Sequence, residues 1–99
     1  VKFSWDPEKD RLNRRKHRVS FEEACYIFAD PFMLTIYDED HSEDEDRWIS
    51  MGRVAESNVL VVVHTHHVKN NDEYVRIISA RRATAKESKT YQTRLEGRK

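Results

Sequence analysis

The sequence predicts an α+β domain: an antiparallel sheet of four to five strands, with two N-terminal helices ahead of it and one C-terminal helix behind. Three observations lead there. Residues 59–63 form an unbroken, valine-rich apolar run. β-branched side chains suit a pleated sheet, and an apolar run with no alternation is a strand covered on both faces. Residues 74–80 repeat that character after a polar link, Lys69-Asn70-Asn71-Asp72, whose Asn and Asp tolerate positive φ. The two runs are therefore adjacent antiparallel strands. Helix-start signals lie outside this centre, at Asp6-Pro7, Ser20-x-x-Glu23 and Thr84-x-x-Glu87.

In chain order, residues 2–5 form a short strand. Asp6 as N-cap and Pro7 at the first helical position open a helix over residues 7–17. Leu12 is its only large aliphatic residue, so most of the helix is solvated. Arg11, Arg14, Arg15, Lys16 and Arg18 make its end basic, which complements the helix dipole or offers contact to phosphate. Ser20 and Glu23 then cap a helix over residues 21–29, with Val19 as a staple. Phe21, Ala24, Cys25 and Phe28 share one face at spacings of three, four and seven, which is a core face. Cys25 is a small core residue in that stripe, and Asp30-Pro31 stops the helix. Residues 32–37 are a strand, residues 38–46 an acidic loop, and residues 47–54 a strand with Arg47, Ile49, Met51 and Arg53 on one face. A turn over residues 55–58 leads into the central pair. Residues 85–95 form the last helix, with Ser88, Tyr91 and Leu95 as a thin stripe, and residues 97–99 are a frayed tail.

Ninety-nine residues make a single domain spanning 1–99, of which 37% are apolar and 36% charged. The formal net charge of zero hides segregation. Residues 1–20 carry a net +4, residues 21–46 carry −10 with no Lys or Arg, and residues 47–99 carry +6. Such asymmetry points to an anionic partner for the basic parts, or to an acidic loop folded against them. One cysteine permits no internal disulfide and suggests a reducing, cytoplasmic setting. No run reaches transmembrane length and no secretory pattern opens the chain, which starts at Val1, so no membrane partner is expected.

The chemistry concentrates in histidine and arginine. His64 and His66 are two apart and point to one side of a strand, a spacing that can ligate zinc. No cysteine or fixed carboxylate accompanies them, so exposed hairpin histidines are the simpler reading. His64 alternates with Leu60 and Val62, which makes it either a satisfied core histidine or an acid–base group. The acidic loop lacks the glycine and spacing of an EF-hand, so no metal is assigned to it. Arg76 within a central strand is costly to bury unless paired or at a cleft. Arg47, Arg53, Arg76, Arg81 and Arg82 lie on strands or their ends. Gathered in one place, they form a phosphodiester site, because guanidiniums bind phosphate in bidentate fashion. The alternative is salt bridging to the acidic loop. With glycine only at 52 and 97, Walker and dinucleotide motifs are excluded, and no serine sits in a nucleophile elbow.

Several ordered blocks resemble the BrnT family, toxins of type II toxin–antitoxin systems. They are Phe3-x-Trp5-Asp6-Pro7-x-Lys9, Asn13-x-x-Lys16-His17, Val19-Ser20-Phe21-Glu22-Glu23-Ala24, Asp40-His41-Ser42-Glu43-x-Glu45-x-Arg47-Trp48, Gly52-Arg53, Val61-Val62-Val63-His64-Thr65 and, most specific, Arg76-Ile77-Ile78-Ser79-Ala80-Arg81-Arg82-Ala83-Thr84. The resemblance implies a RelE-like fold and a ribonuclease that arrests translation without metal or cofactor. It also implies a BrnA-like antitoxin with a ribbon-helix-helix part, through which alone the complex would reach operator DNA. On this reading Arg76, Arg81 and Arg82 stabilise the phosphate and His64 is the best-placed proton carrier, with a Glu, Lys or Arg as the alternative. Arg47 and Arg53 position RNA, with Lys16 and His17 beside them. The family often has glycine where this chain has Arg18; a left-handed backbone there costs about 1 kcal/mol. The competing class is a non-catalytic subunit whose arginines only dock an antitoxin or nucleic acid.

Overall fold

The computed structural model describes residues 1–55 and 58–97. Its elements are β1 (Lys2–Ser4), α1 (Pro7–His17), α2 (Phe21–Cys25), β2 (Leu34–Tyr37), β3 (Trp48–Ala55), β4 (Asn58–His64), β5 (His67–Lys69), β6 (Asp72–Arg82) and α3 (Ala85–Glu96). One-turn 3₁₀ helices follow α2 (Tyr26–Ala29) and β2 (Glu39–His41). The middle of the expected turn over residues 55–58, Glu56 and Ser57, lies outside the described residues, as do Arg98 and Lys99 of the expected tail.

The class is the expected α+β, but among the described residues the sheet has six strands rather than four or five. Its order is β1-β6-β4-β3-β2, with β5 also pairing β6. β1 runs parallel to β6, and the remaining pairs are antiparallel. The extra strand, β5, comes from the polar link. Asn70 and Asn71 take φ of 53° and 69° and close a tight hairpin between β5 and β6. Two consecutive left-handed residues match the twist of paired strands.

β4 is central, flanked by β3 and β6. On its inner face Leu60 and Val62 pack with Val75, Ile77 and Ala80 of β6 against Val19, Phe21, Ala24 and Ile27. Each large side chain among these contributes roughly 1.5–3 kcal/mol by leaving water. The expected nine-residue helix divides because Asp30-Pro31 follows; its last turn tightens into 3₁₀ geometry. That turn lies so close on β3 that a Cβ on Gly52 would sit 2.8 Å from Ile27 Cβ.

Two local features position the rest. Val63 pairs with Ser79 but His64 pairs with Ile77, so β6 carries a one-residue bulge. The inward positions of β6 therefore run 75, 77 and then 80. Without the bulge, Arg76 and Arg81, five residues apart, would point to opposite faces. With it they share the outer face. The second feature is Asn13, the one buried residue of α1. β1 covers β6 only as far as Arg76, and Asn13 serves the edge beyond. Its Nδ2 donates to Ala80 O and to Val19 O, both at 2.8 Å, and its Oδ1 accepts from Ala80 N at 3.2 Å. α1 ends on Arg18 at φ 58° and ψ 30°, the left-handed conformation anticipated there.

Candidate nucleic-acid interface

The outer sheet face is open over most of its area. In register across the strands lie Leu34, Met51, Val61 and Arg81, then Ile36, Ile49, Val63 and Ser79. α3 leans over one end of this face. Between helix and sheet is a hollow of about 230 Å³ with Leu34, Met51 and Val61 on its floor and Glu87 and Thr90 on its wall.

At this hollow Arg81 meets α3. Its Nη1 and Nη2 donate to Glu87 Oε1 and Oε2 at 2.7 and 3.0 Å, a bidentate pair. The same carboxylate completes the capping box, accepting from Thr84 N at 2.9 Å while Thr84 Oγ1 accepts from Glu87 N at 3.1 Å. The Arg81 hydrogen bonds hold the Glu87 carboxyl down to about 2. One helical turn further on, Tyr91 lies on the same side of α3. The Arg53 guanidinium stacks 5.5 Å from the Tyr91 ring centroid, and its Nη2 donates to Gln92 Oε1 at 3.4 Å. Tyr91 donates its hydroxyl to Asp30, which also accepts from the Arg53 amide at 2.8 Å. Burial, then the Asp30 carboxylate, push the Tyr91 phenol up to about 12, so it stays protonated. Burial alone would raise Asp30; the Tyr91 hydroxyl and the Arg53 and Phe32 amides outweigh it and hold that carboxyl below its usual range. Arg53 of β3 and Arg81 of β6, with β4 between them, are thus held by α3 residues one turn apart, Tyr91 and Glu87.

A second group occupies the other end of the same face. Arg76 pairs with Glu45 of the acidic loop. Its hydrogen bonding holds the Glu45 carboxyl below its usual range, aided by the charges of Arg47 and His67. The loop is ordered by its own contacts. Ser42 Oγ bridges Asp38 O and the Arg47 amide, at 2.5 and 3.0 Å, and Tyr37 donates to Asp46 at 2.8 Å. The Nε atoms of Arg47 and Arg53 are buried and have no hydrogen-bond partner among the described residues.

The structure does not gather the expected site residues into one pocket. Arg53 with Arg81, and Arg47 with Arg76, form two groups at opposite ends of one face. Arg82, next to Arg81 on a strand, points to the other face and donates to Asn58 Oδ1 at 2.9 Å. His64 also lies on the inner face, 3% exposed. Its Nε2 lies 2.7 Å from Ser50 Oγ, its Nδ1 3.1 Å from Thr65 O, and its ring meets Phe28 edge-on at 4.9 Å. Burial lowers its basicity. It is the satisfied core histidine of the two readings, and the sheet separates it from the arginines. Lys16 and His17 occupy the last turn of α1, in the layer beside β6 rather than on the open face. Cys25 donates to Phe21 O at 3.2 Å, and burial raises its thiol to about 11, as befits a core residue. Among the described residues no group of three or more His, Cys, Asp or Glu is arranged to hold a metal ion.

Three contributors were not singled out as site residues: Glu87, Tyr91 and Glu45. Glu87 was legible as a cap, and its place six residues after Arg81, across a strand-to-helix turn, was the available signal. In the sequence Tyr91 is part of a helix stripe and Glu45 one charge of an acidic loop.

An open sheet face with an apolar floor, guanidiniums at both ends and a capping helix over one of them defines a small α+β domain suited to a polyanion. The family model described as "Ribonuclease toxin, BrnT, of type II toxin-antitoxin system" matches residues 5–87. The chain belongs to this family. It is also similar to the 1.1 Å crystal structure of the Brucella abortus ribonuclease toxin BrnT, with a TM-score of 0.59 at 20% identity, over 85% of this chain and 97% of that one. At that identity the likeness concerns the fold. No curated protein matches the chain. As a toxin of a type II system it has an antitoxin partner. Among the described residues no helix is long and apolar enough to cross a membrane.

Proposed function

We propose that the protein cleaves RNA without metal and so arrests translation in the cytoplasm, and that the reaction takes place at the Arg53–Arg81–Glu87 end of the outer face. The observation that carries this is the bidentate Arg81–Glu87 pair, with Arg53 held one turn further along α3 at Tyr91. A phosphodiester presents the same two-oxygen edge to Arg81 as a carboxylate does. Substrate therefore competes Glu87 off the guanidinium. The freed carboxylate, no longer held near 2, becomes a stronger base. It takes the proton of the ribose 2′-hydroxyl, the 2′-oxygen attacks phosphorus, and the 5′-oxygen leaves and takes a proton from water. Arg53 and Arg81 neutralise charge as it builds on the phosphoryl oxygens. Arg76 and Arg47 hold the strand at the far end of the face. Arg82, Lys16 and His17 add general attraction from the other layer. The antitoxin is BrnA-like, with a ribbon-helix-helix part that alone contacts operator DNA.

Purified Arg81→Ala and Glu87→Gln variants test this. Each is expected to lose about 10²–10³-fold in RNA cleavage, the scale for one pre-organised charge-stabilising group. Full activity in a folded Arg81→Ala variant would remove this end of the face from the reaction. The carboxylate-paired state of Arg76 and Arg81 favours a second reading, a non-catalytic docking subunit. Its signature is arginine-dependent RNA binding with no cleavage.

A further inference from the structure

At the far end of the sheet, on the inner face, lies a cavity the reaction does not use. Its volume of about 410 Å³ falls within the range of small-ligand sites, about 300–1,000 Å³. Phe28, Trp48 and the buried His64 line it together with the exposed Thr35, His66 and Glu73. We infer that this cavity is a guanine-base subsite, an inference that rests on the RNA-cleavage reading and names the base it selects.

The polar groups decide the ligand. His64 Nδ1 faces a carbonyl oxygen, which only accepts, so that nitrogen carries the hydrogen and Nε2 must accept from Ser50 Oγ. Ser50, having given its hydrogen to His64, accepts from Thr35 Oγ1 at 2.7 Å. The chain of hydrogen bonds thus has one direction, and it leaves Thr35 Oγ1 with only acceptor capacity toward the cavity. His66 Nε2 donates to Glu73 Oε1 at 3.0 Å, which orients the carboxylate and leaves it accepting as well. Thr35 and Glu73 therefore call for a donor-rich planar ligand. Guanine carries two parallel donors, N1–H and N2–H, that match a carboxylate. Adenine and cytosine each place an acceptor beside the amino group, and uracil places carbonyls on both sides of its single N–H. Each of those sets a lone pair against Glu73. Trp48 and Phe28 add ring surface for the base.

The position fits the same strand of RNA. Trp48, the first residue of β3, follows Arg47, and Val75, which also lines the cavity, precedes Arg76 on β6. Neighbours on a strand point to opposite faces. A base in the cavity therefore belongs to a nucleotide at the sheet end where Arg47 and Arg76 meet the backbone.

Calorimetric titration of the whole chain with 5′-GMP, IMP, AMP, CMP and UMP tests this. GMP is expected to bind at least about tenfold more tightly than AMP, CMP or UMP, with IMP, which lacks the 2-amino group, in between. Glu73→Gln, at a half-exposed side chain, is expected to keep its thermal midpoint and to bring GMP to the level of AMP. Equal affinities, no GMP binding, or an unchanged GMP preference in Glu73→Gln would overturn the subsite. RNA cleavage by the same samples separates the two ideas. Cleavage without GMP preference removes the subsite and leaves the ribonuclease; GMP preference without cleavage does the reverse.

Discussion

Replacing Asn13 with alanine should unfold the molecule more readily than any other single change in α1. Its amide stands in for a missing strand: it exchanges two hydrogen bonds with Ala80 and gives a third to Val19 O. The side chain is 7% exposed. Truncation leaves one backbone N–H and two carbonyls short of partners, in a site where each unsatisfied group costs about 1–3 kcal/mol. Water entering the space offsets part of this, so the expected loss is about 3–4 kcal/mol, against a typical total of roughly 5–15 kcal/mol. Asn13→Asp keeps the acceptor for Ala80 N but sets a charge against two carbonyls, and should be no better tolerated. Urea titration followed by tryptophan fluorescence measures it: the midpoint falls while the slope stays fixed. A loss below about 1 kcal/mol for Asn13→Ala would show that water already serves the edge of β6, and the strand-substitute argument would fail.

Arg18→Gly should stabilise by about 1 kcal/mol, because glycine accepts the left-handed conformation at the end of α1 without a Cβ penalty; the thermal midpoint reads it. Gly52→Ala should destabilise by about 1–3 kcal/mol, since the new Cβ meets Ile27 at 2.8 Å, and denaturant titration would expose an error in that packing. Glu87 has a depressed folded pKa, so its contribution is complete above its ordinary value of 4.5 and is lost as pH falls toward about 2. After solvent screening it amounts to about 1 kcal/mol, and Glu87→Gln should remove that part of the acid dependence. His64 is likewise depressed, by burial, so stability should begin to fall below its ordinary value of 6.5, where the unfolded chain takes up the proton first. A stability profile flat from pH 7 to 5 at constant salt would contradict its neutral, buried state.

Much of the frame was legible because its causes are local. Valine runs, the Asn-Asn turn, Asp6-Pro7 and the Thr84–Glu87 box each act within a few residues, and each appears where expected. Ile49, Met51 and Arg53 do share a face, as alternation requires, while Arg47 falls one residue before the strand. The misses come from effects that no local pattern encodes. The bulge opposite His64 reverses the facing of β6 midway, and it alone puts Arg76 and Arg81 on one side. β1 finds β6 as a parallel neighbour about seventy residues away in sequence. β5 is exposed along its length and so shows no hydrophobic period. At the site, adjacency in sequence suggested that Arg81 and Arg82 act together, but neighbours on a strand diverge. The partner of Arg81 is instead a carboxylate on the next element, visible in sequence only as a helix cap.

The most direct measurement is the end chemistry of a defined RNA incubated with the purified protein in excess EDTA. Cleavage yielding 2′,3′-cyclic phosphate and 5′-hydroxyl ends, and lost in Glu87→Gln, is the predicted result. RNA that binds through Arg81 and stays intact would contradict a ribonuclease centre on this face.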